Sequence, residues 1–120
     1  MSLRKFEKLD EIQGAEGTTI RQIFHPHNTF DGINHSLAHF VLEQGKRSTL
    51  HKMKTSETYY ILEGNGKLHV NDDIFDVSAN DTVFVPPMAK QFIENSGEMP
   101  LKFLCIVDPP WTQDDEIILE

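Results

Sequence analysis

Apolar residues recur at alternating positions through most of this chain, in short runs closed by turn-forming residues. The runs are rich in Ile, Val, Phe, Tyr and Thr, which suit a pleated, half-buried surface. They predict strands at Thr18–Phe24, Ser36–Glu43, Ser48–Met53, Thr58–Glu63, Gly66–Val70, Ile74–Val77, Thr82–Val85, Lys90–Asn95 and Leu101–Asp108. The punctuation between them is EQGK, EGNG, VNDD, SAND, VPPM and NSGEMP. EGNG, between YYIL and KLHV, reads as a hairpin turn. Helical periodicity is nearly absent. The first dozen residues predict a short helix or a loose arm. Many short strands with tight turns specify an all-β sandwich or barrel.

The length of 120 residues sets one domain over 1–120, its core at about 35–108, an N-terminal arm at 1–17 and an acidic tail at 112–120. Acidic residues outnumber basic ones by 19 to 11, a net charge of −8. That balance disfavours nucleic acid and anionic membranes as partners. Asp114, Asp115, Glu116 and Glu120 crowd the C-terminus and read as a solvated end. The first residues are charged and carry no apolar signal core, and no run is long enough to span a bilayer, so a cytoplasmic location is expected. Cys105 is the only cysteine and lies in the apolar run LKFLCIV, which predicts a buried, unreactive thiol.

Two blocks carry chemistry. In GKRSTLHKMKTSETYYILEG, five residues separate Gly45 from His51, Met53 follows two later, three residues precede Glu57 and six more precede Gly64. In NDTVFVPPMAKQFIEN, five residues separate Asn80 from Pro86, Met88 follows two later, Gln91 three after that and Asn95 four further on. The strand period of two puts His51 and Met53 on one face, and Glu57 and Tyr59 on one face.

These spacings resemble the two signature motifs of the cupin superfamily. The first runs Gly, five residues, His-x-His, three or four residues, Glu, six residues, Gly. The second runs Gly, five residues, Pro-x-Gly, two residues, His, three residues, Asn. Here Met53 stands at the second histidine, Gln91 at the third, and Asn80 and Met88 at the two glycines of the second motif. Asn visits left-handed backbone at modest cost. Met88 implies a turn that differs from the family's or needs no positive φ. The resemblance spans about residues 35 to 108 and implies a small RmlC-like jelly roll, a double-stranded β-helix of two antiparallel sheets. It also implies homodimers built through edge strands.

In the family, three histidines and a glutamate at these positions hold divalent manganese, iron, zinc, nickel or copper. The ion polarises a substrate oxygen in a shielded cavity. Carried over, His51 and Glu57 are metal ligands and Gln91 a weaker, neutral one. A Gln oxygen suits hard ions and a Met sulfur suits cuprous copper, so the set is tuned to neither. Met53 reads as pocket lining. A metal-free cluster, with Gln91 hydrogen-bonded to Glu57 or His51, is equally open.

His39 is a candidate ligand-binding residue within HSLAHFVLE, whose two faces are both apolar. Tyr59 should point inward as a second, and Met53 is the third. His25-Pro-His27 reads as a surface loop and His69 as exposed. Trp111 is expected to pack the chain end over the barrel or form the pocket rim. The expected function is binding of a small polar molecule, a sugar or a carboxylate, at a weak or atypical metal site. The alternatives are a metal-dependent dioxygenase, isomerase, decarboxylase or lyase, and a metal-free sugar epimerase or isomerase.

Overall fold

Strict alternation of buried and half-exposed residues builds the walls of the barrel. The computed structural model describes residues 3–14, 17–27 and 32–120. Met1, Ser2, Ala15 and Glu16 of the N-terminal arm lie outside the described residues.

The strands are β1 (Ile12–Gln13), β2 (Thr18–Phe24), β3 (Ser36–Leu42), β4 (His51–Met53), β5 (Ser56–Glu63), β6 (Asn65–Val70), β7 (Asp73–Ser78), β8 (Thr82–Val85), β9 (Gln91–Asn95), β10 (Leu101–Asp108) and β11 (Glu116–Ile118). Single 3-10 turns occupy Phe6–Lys8 and Gln113–Asp115. One sheet runs β1-β2-β3-β10-β5-β8 and the other β11-β4-β9-β6-β7. All pairings are antiparallel. This is a jelly roll of two facing sheets. No helix among the described residues is long and apolar enough to cross a membrane.

Period two decides which side chains enter the barrel. Along β5, Glu57, Tyr59 and Ile61 are buried; along β10, Leu101, Phe103, Cys105 and Val107; along β9, Gln91, Ile93 and Asn95. At one end the interior is solid, with Ile61, Leu68 and Leu101 fully buried against one another and Val77. Gly66 is needed there, because a Cβ would lie 2.7 Å from Leu101 Cδ2 and 2.9 Å from the Glu94 carbonyl oxygen. At the other end the sheets enclose a cavity of about 640 Å³.

The motif residues have backbone duties. Gly45 and Gly64 adopt φ of +75° and +90°, open to glycine without strain. Asn80 adopts +74° and Met88 +69°. The family's turn after Pro86 is therefore kept with a side chain in place, contrary to the expectation from sequence. The Met88 N–H donates to the Met53 carbonyl at 2.7 Å, and that bond fixes the turn. Asn95 donates to the carbonyls of Leu42 and Met99 and accepts from the Gly97 N–H, tying a hairpin to β3.

The chain ends also differ from expectation. Residues 116–118 are β11, paired with β4, and not a solvated end. The Glu120 carboxylate accepts from the Leu50 N–H at 2.9 Å and from Arg47 at 2.6 Å. At the other terminus, Phe6 packs on Arg21 and His39.

Candidate functional site

The hollow end of the barrel collects the polar residues of the first motif. His51 on β4, Met53 on β4, Glu57 on β5 and Tyr59 on β5 all line the cavity. Gln91 on β9 lies directly behind them, 1% exposed. Register explains the grouping, since His51 pairs with Gln91 across β4 and β9.

The hydrogen bonds fix the roles. The Thr49 carbonyl can only accept, so His51 Nδ1 carries the proton and donates to it at 2.7 Å. His51 Nε2 then presents a lone pair to the cavity, 3.9 Å from Glu116 Oε1 on β11. The Tyr59 hydroxyl donates to Gln91 Oε1 at 2.6 Å. Gln91 and Cys105 also hydrogen-bond the Glu57 carboxyl. Glu57 Oε1 nonetheless remains buried without a partner. Burial raises the Glu57 pKa above its ordinary value, and neighbouring His51 counters part of that rise. Burial, with Glu57 nearby, holds both Tyr59 and Cys105 well above their usual ranges. The thiol is inert at neutral pH, and the phenol acts as a donor.

His39 is the correction among the candidate ligand-binding residues. Ala38, Phe40 and Leu42 line the cavity, so the alternation of β3 turns His39 outward. It sits in a small outer recess with Phe6, Arg21 and Lys102, where burial first, then Lys102 and Arg21, lower its pKa. His25 is corrected in the opposite sense. It is 8% exposed and lines the cavity. Its Nε2–H donates to the Trp111 carbonyl at 2.7 Å, and its Nδ1 accepts from the His27 N–H. Trp111 also lines the cavity and donates its N–H to Ser36 Oγ. His69 is not exposed but half-buried, stacked on Phe92 with ring centroids 4.0 Å apart and bonded to Glu94 at 2.7 Å.

Glu116 is the site residue that sequence reasoning missed. Its signal was the apolar run Glu116-Ile117-Ile118-Leu119, a strand pattern masked by the acidic residues before it.

The donor set does not fit the family's divalent ion. Gln91 Oε1 already accepts from Tyr59, so the third ligand position offers one remaining lone pair on a neutral oxygen in place of an imidazole. Met53 offers only a thioether. Among the described residues no group of three or more His, Cys, Asp or Glu is arranged to hold an ion.

Comparison with known proteins decides the family. The model of the Cupin domain matches residues 38–107. This chain is a cupin. It is 39% identical over 117 residues to the uncharacterized protein MJ1618 of Methanocaldococcus jannaschii, covering 97% of this chain and 93% of that one. It is 26% identical over 117 residues to mannose-1-phosphate guanylyltransferase 2 of Escherichia coli O157:H7, where the match takes in 93% of this cupin but only 24% of that enzyme. Among solved structures, an RmlC-like cupin from Shewanella frigidimarina superposes with a TM-score of 0.79, covering 95% of each chain at 16% identity. The fold of this cupin is thereby matched over nearly its whole length.

Proposed function

We propose that this cupin binds a small organic molecule inside its barrel without a divalent metal. The ligand's polar group would sit at His51, Glu57 and Glu116, and its remainder against the apolar wall. The observation that carries the reading is Glu57 Oε1, buried without a partner on the wall of a cavity of about 640 Å³. A buried acceptor left unmatched costs about 1–3 kcal/mol, and a ligand donor removes that cost. The volume suits a drug-sized ligand, for which pockets run to roughly 300–1,000 Å³. Phe40, Phe103, Ile20, Val107 and Ile118 are among the apolar residues of the wall, whose polar groups are the cluster, Gln22, His25 and a few hydroxyls. Such a wall suits a molecule with one polar end better than a free sugar, which needs donors and acceptors on all sides.

The mannose-1-phosphate guanylyltransferase is named for a sugar phosphate. This chain corresponds to a quarter of that enzyme, and among the described residues its cavity wall contains no Lys or Arg. A phosphorylated or carboxylated ligand would lack a counter-charge there.

Saturable binding of the neutral dye N-phenyl-1-naphthylamine, which carries one N–H donor on an apolar body and is read by its blue-shifted fluorescence, tests the reading. The wild type should bind it. Ala38→Phe, which fills the cavity from β3, should abolish binding while preserving the β-sheet circular dichroism. Undiminished binding in a folded Ala38→Phe protein places the dye elsewhere and sinks the proposal.

A further inference from the structure

The groups that face the cavity at its polar end are acceptors. Neutral His51 presents an Nε2 lone pair, because its proton sits on Nδ1 and goes to the Thr49 carbonyl. Glu116 contributes a carboxylate 3.9 Å from it. Glu57 is 7% exposed and its Oε1 has no partner. The nearby donors are spent inside the protein: the Tyr59 hydroxyl on Gln91, the His51 Nδ1–H on Thr49, the His25 Nε2–H on Trp111. Among the described residues no Lys or Arg lines the cavity. Two carboxyl groups therefore stand at the polar end of the cavity with no Lys or Arg beside them, and His51 is the one neighbour that can carry positive charge.

A neutral hydroxyl brings one proton to such a cluster, and an anion brings repulsion. A primary ammonium brings three N–H donors and a positive charge. Its geometry also fits. One nitrogen placed about 2.8–2.9 Å from two acceptors bridges a gap of 3.9 Å at an angle near 85–90°. A positive charge against Glu57 also offsets the desolvation of its ionised form. The apolar wall then demands an organic body on that nitrogen.

Resting on the cavity-binding reading above, we infer that the ligand of this barrel is a primary amine carried on an aromatic or aliphatic body. Glu116 and Glu57 receive the ammonium, with His51 Nε2 as the third acceptor. Glu116 is the specificity determinant, because it brings carboxylate charge to the cavity from a strand that the two motifs do not include.

Isothermal titration calorimetry with three matched probes tests this: 3-phenylpropylamine, 3-phenylpropanol and 3-phenylpropionate at pH 7.5, with zinc and manganese chlorides titrated separately. The amine should bind at least about tenfold more tightly than the alcohol, the worth of one charge-assisted hydrogen bond. The carboxylate should not bind. Glu116→Gln should lower amine affinity to about that of the alcohol, a loss of discrimination that loss of fold, which would end binding of both, cannot mimic. If alcohol or carboxylate binds as well as the amine, the inference falls while the cavity reading stands. Stoichiometric zinc or manganese binding that Glu116→Gln abolishes makes the cluster a metal site and overturns the inference. If none of the three probes binds, the inference falls. If N-phenyl-1-naphthylamine fails as well, the cavity reading falls with it.

Discussion

The two ends of this barrel are built from the same strands and have opposite interiors. At one end Ile61, Leu68 and Leu101 fill the space so closely that Gly66 cannot gain a methyl group without overlap. At the other, β5 and β10 stay paired and the two sheets face each other across about 640 Å³ of space, with Glu57, Tyr59 and Cys105 on its wall. Unfilled apolar space forfeits dispersion contacts and lowers stability. The packed end therefore carries the fold, and the hollow end gives up stability to admit a ligand.

The sharpest way to break this comparison is to add atoms at each end. Gly66→Ala places a Cβ 2.7 Å from Leu101 and 2.9 Å from the backbone oxygen of Glu94. Backbone cannot yield as a flexible side chain does, so a loss of about 3 kcal/mol is expected, at the upper range for overpacking. Ala38→Phe adds far more volume at the hollow end, yet should cost less than about 1 kcal/mol or even stabilise, because the atoms enter open space. Urea denaturation of both variants decides it. Equal losses would mean the two ends are not distinct.

The packed end was the part legible in the sequence. Its strands announce themselves by alternation and by turns such as EGNG, and the nine expected strands all appear, eight within two residues at each end and Ser48–Met53 starting three residues later, at His51. The hollow end was half legible. His51, Met53, Glu57, Tyr59 and Gln91 do meet, because strand period and motif spacing fix their faces. His39 failed because β3 is apolar on both faces, so alternation could not say which face enters the barrel. Its outer face is covered by Phe6 of the N-terminal arm, a contact between residues 33 apart in sequence. His25 and Glu116 failed for a related reason. Each reaches the cavity through long-range contacts at its margin, with Trp111 and with β4, that no local pattern encodes.

A medium effect should appear at the hollow end alone. Burial raises the Glu57 pKa above its ordinary 4.5. The folded chain then holds this proton at pH values where the unfolded chain has released it. Stability falls as pH rises wherever the folded state binds more protons. The loss begins near 4.5 and continues up to the raised value. Glu57→Gln removes this ionisation. The wild type should lose stability relative to Glu57→Gln as pH rises above about 4.5, measured by urea midpoints at each pH. Parallel profiles for the two proteins would show that Glu57 ionises freely and that the hollow end is wetter than its wall suggests.

The smallest effect distinguishes the two left-handed turns, one serving each end. Asn80, at φ +74°, donates its N–H to the Ile61 carbonyl of the packed end. Met88, at φ +69°, donates to the Met53 carbonyl at the hollow end. Left-handed backbone costs an ordinary L-residue about 1–2 kcal/mol, and Asn less. Met88 is 48% exposed, so its side chain contributes little packing to lose. Glycine there relieves the strain but adds entropy to the unfolded chain, a partial offset of roughly 0.5–1 kcal/mol. Met88→Gly should therefore stabilise by up to about 1 kcal/mol, Asn80→Gly by less, and Met88→Val should destabilise because β-branching sharpens the clash. Thermal unfolding of the three variants gives the order. If Met88→Gly lowers the midpoint instead, the Met88 side chain holds the turn beside Met53 through contacts of its own, and strain is not what sets this end of the barrel apart.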